Sequence, residues 1–252
     1  MVSKNQRKQI LQLKQKKYRL STGLFVAEGE KVIEELLSAS WDCVYLFSIA
    51  PHFHPQSEVI DPSVMKQLTH FKTPSPVLGV FKSPDLKALS KSNITLAVDG
   101  VSDPGNLGTL IRICDWYGLS DLICSSNTVD CYNSKVVQAS MGSIVRVQCH
   151  YVDDLHSTLI NLNKPIYGAD LNGQPLYKTD FEEQASFVFG SESHGLSAAV
   201  SKIINHKITI PNFRSGRGAE SLNVAVAGAI FLSEIFRSKD RKSTRLNSSH
   251  SC

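Results

Sequence analysis

From residue 94 onward the chain alternates between short apolar runs and longer stretches with helical spacing of apolar side chains. The runs at 94–99, 122–125, 145–149, 166–169, 187–189 and 206–210 read as buried strands, and 107–117, 134–141, 155–162 and 222–236 as helices. Strands that are apolar on both faces, with helices between them, fit a parallel sheet covered on both sides. The last helix is apolar almost all round as far as Leu232, so it is expected to be buried. In such a sheet ligands bind beyond the carboxyl ends of the strands, so function is to be sought in the loops that follow them.

The residues before this pattern are organised differently. Residues 1–20 carry seven basic side chains and no acidic one, and Ile10, Leu13, Lys17 and Leu20 fall roughly on one helical face. An organelle-targeting segment shares that composition. A basic helix that approaches nucleic acid is the favoured reading, with a solvated basic face as the plain alternative. Residues 25–37 read as a short extended stretch and an amphipathic helix, 43–49 as a strand, 62–70 as a helix and 77–82 as a strand. Residues 83–93 (SPDLKALSKSN) are polar and open on Ser-Pro, which marks a linker. The expected division is a small α/β domain over 1–82, a linker over 83–93 and a larger domain over 94–239.

Residues 240–252 are expected to be foreign to the natural protein. Residues 240–250 (DRKSTRLNSSH) are what a common DNA-sequencing adapter gives when translated in one frame, and they have no apolar periodicity. Leaving out Asp240, Arg241, Lys242 and Arg245 lowers the net charge from +4 to +2, so the chain permits a polyanionic partner without demanding one. With 42% apolar and 20% charged residues the chain is neither disordered nor collagen-like. No signal peptide is evident, and no run approaches the ~20 apolar residues of a membrane helix. Without Cys252 of that tail, the six cysteines become five, Cys43, Cys114, Cys124, Cys131 and Cys149, which show no zinc spacing and whose odd number and wide separation suit thiols in a reducing cytosol.

Three loops carry chemistry. The first, residues 99–112 (DGVSDPGNLGTLIR), leaves a buried strand at Asp99 and passes Gly100, Pro104, Gly105 and Gly108 before a helix. Its glycines allow backbone to approach a ligand closely. Arg112, about one turn into the helix, has the planar fork that holds a phosphate or carboxylate. A plain turn with Asn106 near the helix cap is the simpler reading. Neither G-x-G-x-x-G nor G-x-x-x-x-G-K-[ST] occurs, which counts against a dinucleotide or ATP site. The second loop, 187–196 (FVFGSESHGL), offers Ser193 and His194, but Ser193 lies three residues after Gly190, so the nucleophile-elbow spacing fails. Glu192 is its more informative group, although carboxylates at helix starts are common. The third, 208–224 (ITIPNFRSGRGAESLNV), has Arg214 and Arg217, then Glu220, Ser221 and Asn223 leading into the last helix. Ser221 could cap that helix. Asn223, an amide at the head of an apolar helix, must find partners, so it either reads a ligand or fixes a loop.

In this order and context the three loops resemble the SpoU (TrmH-type) branch of the SPOUT RNA methyltransferases. Asn106, Gly108 and Arg112 match the family's N-x-G-x-x-x-R motif, and Gly190, Glu192 and Gly195 its G-x-E-x-x-G motif. Ile210, Pro211, Ser221, Leu222 and Asn223 match its I-P…S-L-N motif. The resemblance covers residues 94–237. Residues 25–30 (FVAEGE) are similar to the start of the substrate-binding domain that often precedes this fold. Between Pro211 and Ser221 the chain is longer and more basic than the family's common pattern.

The resemblance implies an α/β protein: a carboxyl-terminal parallel-sheet domain with a trefoil knot (the SPOUT fold), preceded by a small α/β substrate-binding domain. It implies methyl transfer from S-adenosyl-L-methionine to a ribose 2′-hydroxyl of ribosomal RNA or tRNA, in a cytoplasmic homodimer whose active site lies near the subunit interface. By positional match Gly190, Ile210 and Leu222 would contact the cofactor, and Arg112 would orient or activate the hydroxyl. Asn106, Glu192, Ser221 and Asn223 would fix the loops and the ribose. Arg214, Arg217, Lys14 and Lys17 are candidate RNA contacts. No metal is required, because the leaving group departs neutral. A non-catalytic RNA-binding protein retaining the fold is the alternative. A dinucleotide-dependent oxidoreductase would need the missing glycine fingerprint.

Overall fold

The computed structural model describes residues 2–214 and 219–249, without the side chains of 238–249. In chain order the elements begin α1 (Lys4–Gln12), α2 (Lys16–Thr22), β1 (Leu24–Glu28), α3 (Glu30–Ser38), β2 (Cys43–Ser48), β3 (Glu58–Val59), α4 (Pro62–Leu68) and β4 (Val77–Lys82). There follow β5 (Ile94–Asp99), α5 (Pro104–Trp116), β6 (Asp121–Ser125), α6 (Ser134–Ser140), β7 (Gln148–Val152) and α7 (Leu155–Asn161). The last are β8 (Ile166–Pro175), β9 (Ala185–Gly190), α8 (Ala198–Ser201), β10 (His206–Thr209) and α9 (Val224–Ser249). The helix α9 thus continues as backbone well into the adapter-like segment.

The chain forms two compact units. One is Met1–Lys87 together with Asp130–Arg146, the other Ala88–Val129 together with Val147–Cys252. The first boundary falls inside the 83–93 stretch read as a linker, and the carboxyl-terminal unit is interrupted once. The segment carrying α6 lies within the 94–239 span but packs with the amino-terminal unit.

In the first unit the strand order is β1-β4-β2-β3, antiparallel except for β2 with β3. Its two faces follow from the two-residue period of a strand. Leu24 and Val26 of β1 join Ile10, Leu13, Met65 and Leu68 in one core cluster. Between them Phe25 turns the other way, 4.9 Å from the Tyr132 ring and 6.0 Å from that of Phe81. Tyr132 belongs to the Asp130–Arg146 segment, which supplies part of this second layer.

The basic amino terminus is two helices, not one. The break after Leu13 buries Ile10 and Leu13 but leaves Leu20 71% exposed. Arg19 turns inward instead. Its Nε donates to Asp130 Oδ2 at 2.6 Å, and its Nη1 donates to the carbonyls of Leu13 and Lys14 at 2.8 and 3.0 Å. One of the seven basic residues is thus structural, whereas Lys14 and Lys17 are exposed. The two-residue strand β3 is too short to show any periodicity in the sequence.

The first unit contains an acid-sensitive pair. Glu28, buried on β1, accepts from Thr69 Oγ1 at 2.6 Å and from the backbone N–H of His70 at 2.7 Å. His70 Nε2 lies 2.8 Å from the carbonyl of Ile10, so it carries the proton, and Nδ1 is buried without a partner. Burial, aided by the positive charges of Lys14 and Arg19, pushes the His70 pKa down to about 4. The unfolded chain therefore takes up a proton near pH 6.5 that the folded unit refuses. Stability contributed by neutral His70 is complete above that value and is lost as pH falls toward 4. Burial raises the Glu28 carboxyl above its usual value, an effect of opposite sign that acts above about pH 4.5 and offsets part of the His70 loss. Between pH 7 and pH 5 the His70 effect is expected to cost about 2 kcal/mol. Urea unfolding at both pH values checks it: the pH difference should shrink in His70→Gln, and an unchanged difference would show that His70 is not its source.

In the second unit the sheet order is β10-β8-β9-β5-β6-β7, every pairing parallel. The chain runs outward from β5 through β6 and β7, then crosses to the other side to lay down β8, β9 and β10. The order reverses between β5 and β9, which places the topological switch point there. Asp99 and Gly190, the last residues of these two strands, are partners in register. The first two loops therefore leave the sheet side by side. Strand β7 starts at Gln148 rather than 145, because Ser143–Val145 winds as a 3-10 turn after Gly142, which has φ 91°.

Candidate active site

Helix α5 starts earlier than the apolar pattern suggests. Asp103 caps it, accepting the backbone N–H of Asn106 at 2.9 Å, and Pro104 takes the first helical position. Asn106 therefore lies within the first turn with its side-chain amide free to act elsewhere. Arg112 lies more than two turns into α5, not one.

The second loop is held by a close backbone approach. Ser191 and Gly195 exchange two backbone hydrogen bonds at 2.9 Å, and Gly195 has φ +66°. A Cβ on Gly190 would stand 2.1 Å from the Gly195 carbonyl carbon, so only glycine fits there. The third loop ends on Asn223, whose Oδ1 accepts from the backbone N–H groups of Ala225 and Val226 at 3.0 and 3.2 Å. Asn223, not Ser221, is the cap of α9.

One amide ties the three loops together. Asn223 Nδ2 donates to Asn106 Oδ1 at 2.7 Å, and Asn106 Nδ2 donates to Glu192 Oε1. The polarity of the chain is fixed from both ends. The cap requires Asn223 Oδ1 to face α9, so its Nδ2 faces Asn106, which must then offer its own Nδ2 to the carboxylate. Loop fixing, one of the two readings of Asn223, and the helix cap read at Ser221 are both carried by the Asn223 side chain. Asn223→Ala is expected to lose about 1 kcal/mol with the cap and to slow turnover. Asn223→Asp should keep the cap and the melting temperature. Its carboxylate, however, demands the Asn106 Nδ2 that Glu192 already holds, so turnover should fall by about tenfold. Normal turnover in a stable Asn223→Asp protein would remove the chain from the chemistry.

Beside this chain lies a cleft of about 550 Å³, within the usual size of a small-molecule site. Gly190, Glu192, Ile210, Ser221 and Leu222 are among the residues that line it, as is Phe231. Arg112 and Arg214 are exposed and are not among its lining residues. Arg112 makes no hydrogen bond or ion pair among the described residues. Arg217 lies outside the described residues. Lys14 and Lys17 belong to the first unit, where the Lys17 ammonium stands 4.9 Å from the Tyr18 ring centre. Ser193 Oγ and His194 Nδ1 are 2.7 Å apart at the cleft, but no carboxylate orients the far ring nitrogen among the described residues. The arrangement is not a nucleophilic relay.

Sequence reasoning missed one wall. Between Gly168 and Gln174, β8 skips register against β10, and Ala169, Asp170, Leu171 and Asn172 arch into the cleft lining. Thr209 Oγ1 anchors the arch on the Leu171 carbonyl at 3.2 Å, and Lys207 Nζ on Asp170 at 2.9 Å. The available signal was Asn172-Gly173, a turn pair that follows the apolar run 166–169 after Asp170 and Leu171.

A parallel sheet with a cleft beyond the carboxyl ends of β8, β9 and β10, lined in part by the second and third loops, is the arrangement in which open α/β folds hold ligands. Residues 93–233 match the SpoU rRNA Methylase family, and residues 4–79 an MRM3-like substrate binding domain. The chain belongs to the SpoU rRNA methylase family. It is 31% identical, over 91% of its length and 96% of the relative's, to the 23S rRNA (guanosine(2553)-2'-O)-methyltransferase RlmP of Bacillus subtilis (strain 168). Among solved structures, a TrmH-family protein from Porphyromonas gingivalis is 37% identical with a TM-score of 0.80, over 93% of this chain and 98% of that one. An AdoMet-bound rRNA methyltransferase from Sinorhizobium meliloti is 26% identical, also with a TM-score of 0.80, over 94% of this chain and 97% of that one.

Proposed function

We propose that the cleft is the methyl-transfer site of an RNA (ribose-2′-O)-methyltransferase that uses S-adenosylmethionine and acts on ribosomal RNA or tRNA. The observation that carries this reading is the Asn223–Asn106–Glu192 chain, which joins the three family motifs at one end of a ligand cleft. The residues present fit the cofactor. The Gly190–Gly195 approach leaves a backbone edge with no side chain in the way, Leu222 and Phe231 give apolar cover, and Asp170 and Thr209 supply polar groups. S-adenosylmethionine, when bound, supplies an electrophilic methyl group on a sulfonium. The work of the chain is then to hold the ribose in line and to help its hydroxyl lose a proton.

Arg112 is assigned to the ribose hydroxyl or the adjacent phosphate. A guanidinium stays protonated, so it orients a phosphate that takes the proton or stabilises the oxyanion as it forms. Glu192, fixed by Asn106, orients the ribose, with Ser221 beside it on the cleft wall. Arg214 and Arg217 hold RNA phosphates, which position without reading sequence, and the amino-terminal unit with Lys14 and Lys17 adds affinity.

A homodimer fits the apolar surface that one chain leaves open: Trp116 on α5 is 85% exposed and Val226 on α9 is 49% exposed. The expectation that α9 is buried all round fails at Val226 for a single chain, and a second subunit would cover it. The trefoil knot and a cytoplasmic site of action complete the reading. The free, buried thiols of Cys114 and Cys124 suit a reducing compartment. No helix of the described residues is long and apolar enough to cross a membrane.

The test is transfer of labelled methyl from S-adenosylmethionine to total RNA, followed by alkaline hydrolysis, which a 2′-O-methyl group blocks at its own linkage. Label in alkali-resistant dinucleotides supports the reading. Binding of S-adenosylmethionine and RNA without transfer would favour the non-catalytic alternative.

A further inference from the structure

Phe213 is the most exposed large apolar side chain of the described residues, at 89%. It stands in the third loop, three residues after Ile210 and eight before Ser221, and both of those flanks line the cleft. No ring of the described residues stacks on it. The backbone beside it is set by a local turn, in which Asn212 Oδ1 accepts the N–H of Arg214 at 2.9 Å. Residues 212–219 (NFRSGRGA) bring two arginines and no carboxylate. An aromatic ring in water is unfavourable for the free protein, and here it sits where the chain is cationic and borders the reaction site.

We infer that Phe213 is a stacking platform for an unpaired base next to the target nucleotide, with Arg214 holding a neighbouring phosphate. The inference rests on the RNA-methyltransferase reading above and adds the form of RNA taken: a single strand at the point of reaction. A ribose seated against the cleft must be drawn away from its helical neighbours, and bases freed in this way stack on exposed aromatic side chains. Stacking tolerates any base, because every base has a π-face, while arginine neutralises the backbone. Aromatic, arginine and glycine side by side in a loop provide both functions. A contact between subunits is the competing use of an exposed ring. The positive charge of this loop favours a polyanion, and Trp116 and Val226 already offer apolar surface for a subunit.

The full chain is tested against a short fluorescein-labelled oligoadenylate and against the same strand paired with oligouridylate. Phe213→Ala and Phe213→Leu should each weaken single-strand binding about tenfold, the size of one lost base–aromatic stack. Duplex binding should stay within about twofold, and Phe213→Trp should retain the wild-type preference. Equal affinity of Phe213→Ala and wild type for the single strand would overturn the inference, as would equal losses on strand and duplex. A smaller sedimenting species in Phe213→Ala would overturn it in favour of a subunit contact. Methyl transfer by the wild-type chain to total RNA, measured in parallel, separates the two levels. No transfer defeats the function itself, whereas transfer with an indifferent Phe213→Ala defeats the stacking alone.

Discussion

Arg112→Lys is expected to slow single-turnover methylation by about 10²-fold or more, the size of losing a positioned catalytic group. Lysine keeps the positive charge but not the planar fork. Because Arg112 is exposed and unpartnered among the described residues, the fold does not depend on it. The variant should melt with the wild type. Cofactor affinity should also hold, since Arg112 is not among the residues lining the cleft. A surface residue with no chemical duty would show a different pattern: an exposed charge contributes little, and activity would stay within a few-fold. Rates near wild type at saturating S-adenosylmethionine would take Arg112 out of the mechanism.

Asp130→Ala is expected to cost about 3–5 kcal/mol of stability, because it leaves the buried Arg19 guanidinium without its counter-charge. The side chains of the pair are 5% and 9% exposed, and Nε and Oδ2 are 2.6 Å apart. The carbonyls of Leu13 and Lys14 remain on Nη1, but neither carries a full charge. Replacing both partners, Arg19→Met with Asp130→Leu, should recover much of the loss, since an apolar pair avoids desolvating two ions. Urea unfolding of the full chain measures both. A loss below about 1 kcal/mol in Asp130→Ala would place the pair with weak surface bridges.

Strand β5 and strand β4 were legible to the residue, because both are apolar runs bounded by polar or turn residues. The three loops were legible as loops because each follows such a strand. Their joining was not: that Asn106 would meet Glu192 and Asn223 depends on β5 and β9 being neighbours, and strand order is not written in local periodicity. The arch of β8 was hidden for a related reason, since Ala169, Asp170, Leu171 and Asn172 follow no strand period and take their role from the register skip against β10. At the amino terminus the helical period ran on past Leu13, while the break is set by Arg19 turning to a partner 111 residues away. The resemblance to a known family gave the site its members. The hydrogen bonds between them came from the structure.

The segment Asp130–Arg146 sends the chain out of the second unit and back again, after it has already left the first at Lys87. A gene cut at the linker would not separate two modules. It would strand Tyr132 without Phe25, Asp130 without Arg19 and Arg146 without Glu35. The two stretches act mechanically as one body, although forty-two residues of the other unit run between them.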